Sequence, residues 1–141
     1  MTRLESDPVK FMNILKSIGA VLAGIIFIVM THTAADRIFE ALGIFPSPDQ
    51  GLHITWMLVT ALIYRIIFEI AGGYLTAALA PSSPTLHAVI LGVIGTVISA
   101  AAAIAVIPMG MSPAWYPVAL AVTALPAAWL GGKLKTNSFA Q

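Results

Sequence analysis

Arg65 and Glu69 carry opposite charges in the middle of an apolar run, WMLVTALIYRIIFEIAGGYLTAALA, from Trp56 to Ala80. The run is about as long as a membrane-spanning helix needs to be. The two residues stand four apart, a little over one helical turn, so both side chains leave one face. A charge at the bilayer centre costs about 2.5–3.5 kcal/mol on insertion scales, and pairing within one helix lowers that cost without removing it. Two roles fit the pair. One is an ion, proton or substrate site, with Glu69 titrating and Arg65 holding its charge state. The other is a clamp that sets helix register. Counted from the turn that follows Ala80, Glu69 is level with Gly95 or Thr96 on the next apolar run, and Arg65 with Ser99. Ser99 or Thr96 is therefore expected to hydrogen-bond the pair across the helix interface.

A second group is His32 and Asp36, also four apart, with His53 on the same side of the membrane. Two histidines and a carboxylate could bind zinc, with water completing the site. The same residues also suit a capped helix end with two interfacial histidines, and neither HExxH nor any cysteine accompanies them. His87 falls on the opposite side, where it is expected to cap the third helix or meet lipid headgroups. Thr123 and Tyr116 are expected to hydrogen-bond between helices.

The composition says what must hold these residues. Of 141 residues, 59% are hydrophobic and 9% charged, against about a quarter charged in soluble chains, and the mean hydropathy is +0.94. The chain is thus expected to be an all-α, polytopic membrane protein, a single domain with four transmembrane helices in a bundle and the lipid bilayer as its surroundings. A net charge of +1 with no basic patch outside the termini excludes a nucleic-acid partner. No Walker loop, GxSxG or dinucleotide fingerprint is present, and no cofactor is expected.

The apolar runs place the spans at about 17–35, 54–80, 86–107 and 115–131. Residues 1–13 read as a polar tail, with Pro8 opposing a long helix. The positive start, the apolar run and Thr31–Ala35 also fit a signal peptide, but the helical pattern continues past Thr33 through Ile38, Phe39 and Leu42. An outer loop follows at 36–53, an inner turn at 81–85 and an outer turn at 108–114, each rich in proline or glycine. Small-residue stripes supply packing faces: Ala20 and Gly24; Ala61, Gly72 and Thr76; Ala88, Gly92, Gly95, Ser99 and Ala102; Ala121, Ala124 and Ala128. Pro126 is expected to kink the fourth span, and Gly131 and Gly132 to close it. The endings GGYL and GGKL hint at a duplicated hairpin.

Arg3, Lys10 and Lys16 precede the first span, and Lys133 and Lys135 follow the last. The first connection holds one arginine among three acids, and the other two have no charge. The pattern predicts both termini in the cytoplasm. Trp56, Trp115 and Tyr116 would form the outer aromatic belt, with Tyr74 and Trp129 towards the inner one.

Several short motifs occur along the chain: Tyr64–Arg65, Gly72–Tyr74, Ala80–Pro84, His87–Ala88, Trp115–Pro117 and Leu125–Gly132, with Asp36 near the end of the first span. Together they resemble the pattern of a group of small four-span bacterial inner-membrane proteins without an established activity. The resemblance implies four spans in a bacterial plasma membrane and brings no reaction with it; His32 and Glu69 fall outside the pattern. Three functions follow as expectations. The first is a non-enzymatic protein with a helix-packing or assembly role, open to homo-oligomers. The second is an oligomeric small-solute or proton-coupled transporter using Arg65 and Glu69, its ligand unknown. The third is an outer-face metal site or enzyme at His32, Asp36 and His53.

Overall fold

A computed structural model describes residues 8–138. Four helices account for most of them: α1 (Pro8–Ala41), α2 (Thr55–Leu79), α3 (Pro84–Val106) and α4 (Trp115–Asn137). All four are long and apolar enough to cross a membrane, and no strand occurs among the described residues. The protein is an all-α, multi-pass membrane protein, a four-helix bundle.

Because lipid tails are as apolar as leucine, such helices associate through close packing and hydrogen bonds rather than through hydrophobic burial. The buried residues reflect this, since most are alanine, glycine or threonine. α2 packs against each of the other three, while α1 packs against α2 and α3 only. On α2 the face formed by Ala61, Gly72 and Thr76 is buried, whereas Ile63 and Ile67 on the other side are more than half exposed. Thr76 donates to the Ala20 carbonyl of α1 at 3.2 Å. At the α2–α4 crossing, a Cβ on Gly73 would run into the backbone of Ala128, and one on Gly131 into the backbone of Ile70 and Tyr74. Only glycine lets the two backbones approach so closely.

Helix ends depart from the sequence reading in three places. The expected tail is helical from Pro8, because proline at the first helical position lacks a donor that would be unpaired there anyway; residues 1–7 lie outside the described residues. α1 follows the helical pattern read through Ile38 and Phe39 but carries the helix six residues past the span end placed at residue 35, to Ala41. There Gly43, at φ +69, closes it, with Gly43 N–H on the Glu40 carbonyl and Ile44 N–H on the Phe39 carbonyl. α4 continues through Pro126 and past Gly131–Gly132 to Asn137, since those glycines serve the α2 crossing rather than a helix stop.

Between α1 and α2 the chain makes one 3-10 turn, Pro48–Gln50. Leu52 N–H donates to the Met111 carbonyl at 2.8 Å, tying this loop to the α3–α4 connection. Phe45, buried in the loop, stacks on Phe39 at 4.7 Å between centroids, and Phe39 stacks on Tyr64 at 5.5 Å. The loop end of the bundle is therefore anchored to the helix faces beneath it.

Candidate functional site: an arginine-centred polar cluster

Arg65 and Glu69 lie two residues to either side of Ile67, the midpoint of α2. The ion partner of Arg65 is Asp36 of α1, not Glu69: Nη2 donates to Asp36 Oδ2 at 2.5 Å. The Tyr64 hydroxyl donates to the other oxygen, Oδ1. From one turn earlier on α1, His32 Nε2 donates to the Arg65 carbonyl at 3.2 Å. The extension of α1 to Ala41 makes this arrangement possible. It keeps His32 and Asp36 on one helical face and turns that face towards α2. The aromatic stack of Phe45, Phe39 and Tyr64 then holds the tyrosine in place beside the arginine.

The cluster borders two cavities. The larger, of about 430 Å³, reaches from Arg65 and Asp36 to the two connecting loops, a size typical of small-ligand sites. Glu40, Ser99, Ser112 and Tyr116 add polar groups to walls otherwise made by Ala61, Ala103 and Leu120. Side chains of Arg65 and Asp36 keep 23% and 31% exposure, so the ion pair faces this space instead of being sealed between helices. The smaller cavity, of about 170 Å³, lies on the Glu69 side and is lined by His32, Arg65, Glu69 and Ser99 among aliphatic residues. Arg65, Ile98, Ser99 and Leu120 line both. They form the partition.

Three buried polar atoms have no partner among the described residues: Arg65 Nε, Glu69 Oε2 and Thr96 Oγ1. The hydrogen bond expected from Thr96 to the charged residues is thus not made, and Thr96 borders neither cavity. Ser99 does stand at the level of Arg65, but its hydroxyl faces the cavities without a hydrogen bond to the chain. A fully satisfied clamp would leave no such edges.

The remaining candidates separate. No three His, Cys, Asp or Glu side chains gather as a metal site among the described residues. His53 sits by Gly51 in the loop, while His32 and Asp36 are engaged by α2. His87 is buried, so it does not meet headgroups, and its Nδ1 donates to the Ser83 carbonyl at 3.1 Å, which leaves the free N–H groups at the start of α3 without a side-chain cap. Thr123 bonds back to the Ala119 carbonyl of its own helix at 2.8 Å rather than bridging helices. The Phe39–Phe45 stack was not singled out by sequence reasoning, and Tyr64 entered only as half of the Tyr64–Arg65 motif, with no role given to it. The signal for Tyr64 was its place beside Arg65.

Three residues that carry the sequence resemblance, Asp36, Tyr64 and Arg65, meet in this cluster. No protein-family model, curated protein or solved structure matches the chain.

Proposed function

We propose that this chain is a non-enzymatic protein of a bacterial plasma membrane that binds a small polar solute inside the bundle. The Arg65 cavity is its binding site. The supporting observation is the cavity wall itself: a partly exposed Arg65–Asp36 ion pair with the hydroxyl-bearing Ser99 and Ser112 lining the same space. Such groups can orient a solute that offers both an acceptor and a donor. With both termini in the cytoplasm, as the lysine pattern predicts, the cavity faces the outer side. Transport of the solute, alone or by an oligomer, is an extension of this reading.

A second reading, a purely structural tie, is favoured by one fact. The two bonds accepted by Asp36 link α1, which leaves α4 untouched, to the rest of the bundle. A melting-temperature screen of the purified protein against small amines, carboxylates and amino acids separates the two. A ligand present at 100 times its Kd adds about 2.7 kcal/mol of stability. The binding reading expects such a shift, lost when Ser99→Leu fills the cavity. If no member of the panel shifts the native protein, the structural tie is the better account.

A further inference from the structure

We propose that the smaller chamber beside Arg65 is a monovalent-cation site, in which the Glu69 carboxylate holds a proton or a sodium ion. The argument begins with a charge count across the packed helices. Asp36 takes the Arg65 guanidinium at 2.5 Å, and no ion pair links Arg65 to Glu69. From α1, His32 uses Nε2 on the Arg65 carbonyl and tilts its ring against Phe68. α3 has no charged residue and its only histidine, His87, lies at the far end of the helix; α4 offers Tyr116 on the other side of the partition. Asp36 and Glu69 together therefore carry one negative charge more than Arg65 supplies.

Glu69 Oε2 is buried and no chain donor reaches it. An ionised, unpartnered carboxylate at mid-membrane is strongly disfavoured. A cation bound there removes both problems. The chamber, at about 170 Å³ with mainly aliphatic walls, has room for a few water molecules beside an ion. A divalent ion would call for several carboxylates, and the chamber has one.

Occupancy of this chamber acts on the larger cavity through Arg65, which lines both. When the cation leaves, Glu69 becomes a second claimant on the guanidinium, one turn away on the same helix. The Asp36 tie then weakens. This coupling rests on the solute-binding reading, but the cation site can be tested without any solute.

The probe is dicyclohexylcarbodiimide, an apolar reagent that adds a protonated carboxyl and leaves a stable acylurea, located by peptide mass spectrometry on the full-length protein. Glu69 is expected to be labelled, and the rate to fall about tenfold per pH unit above its midpoint. Asp36, held by two donors, serves as the internal comparison and stays unlabelled. Sodium chloride that slows labelling where choline chloride does not identifies a sodium site; dependence on pH alone identifies a proton site. The infrared C=O stretch of a protonated carboxyl, present in the native protein and missing from Glu69→Gln, reads the same group without the reagent. Absence of both the label and the band from about pH 5 to about pH 9, with no response to sodium, would overturn the proposal. A failed ligand screen combined with a labelled Glu69 would sink the solute reading alone.

Discussion

Towards the α2–α3 turn, Gly73 lies against the backbone of Ala128, Gly92 against Leu125, and Gly132 against Ala88. Towards the α1–α2 loop, the same helices stand around Arg65, Asp36, Ser99 and Tyr116 and line an open cavity of about 430 Å³. In the first region small residues face other small residues or bare backbone, so the helices close on one another. In the second, Ala61, Ser99 and Ala102 face charged, aromatic and loop residues that hold the walls apart. Small side chains therefore do not seal a membrane bundle by themselves; what stands opposite decides between contact and cavity. One region fixes the helices. The other holds the chemistry.

This contrast can be broken at four points. The largest effect is expected from Arg65→Met, which strands Asp36 and should cost about 3–5 kcal/mol of stability, read by denaturant titration in mixed micelles. Adding Asp36→Leu should restore most of that loss while leaving any solute response abolished. A double variant that remained as unstable as the single one would show that the ion pair is not the group being stranded. Next comes Gly131→Val in the closed region, where the new side chain meets the Ile70 and Tyr74 backbone. Overpacking of this kind costs about 1–3 kcal/mol, and the surviving folded protein should respond to solute as before.

A smaller loss is expected for Thr76→Val, which deletes the bond to the Ala20 carbonyl. Interhelical hydrogen bonds in membranes are worth about 0.6 kcal/mol on average, so melting should shift only slightly. The smallest stability change belongs to Tyr116→Phe. Its hydroxyl borders the large cavity and makes no hydrogen bond within the described chain. Stability should stay within about 0.5 kcal/mol, so that any weakening of solute binding can be read against an intact fold.

The bundle could be read from the sequence because its signals are local. Apolar runs, proline breaks and the stripe Ala61, Gly72, Thr76 all follow from spacing along one helix, and that stripe is the buried face of α2. The i, i+4 relation of His32 and Asp36 was legible for the same reason. The partner of Arg65 was not. Spacing points to Glu69, four residues away, but Asp36 is brought level with Arg65 by the antiparallel register of α1 against α2 and by the extra turns of α1 that end at Gly43. Composition could have raised the question, since so few charges leave few candidates for an arginine in a span. Thr96 was misjudged for a related reason: counting depth gives a level along the helix but not the direction of a side chain. Nothing in the spacing of Phe39, Phe45 and Tyr64 announced their stack, because it depends on a loop folding back over two helices.

The central claim, that the Arg65 face borders a polar compartment rather than lipid, can be tested on α3 alone. The chain has no native cysteine, so Ser99→Cys and Val97→Cys can each be probed with a charged thiol reagent without background. Ser99 lines both cavities, whereas Val97 is 63% exposed on the outer surface of the bundle. A thiolate forms where water reaches the sulfur. The account predicts that Ser99→Cys reacts at least about tenfold faster than Val97→Cys. Equal, negligible reactivity at both positions would contradict it.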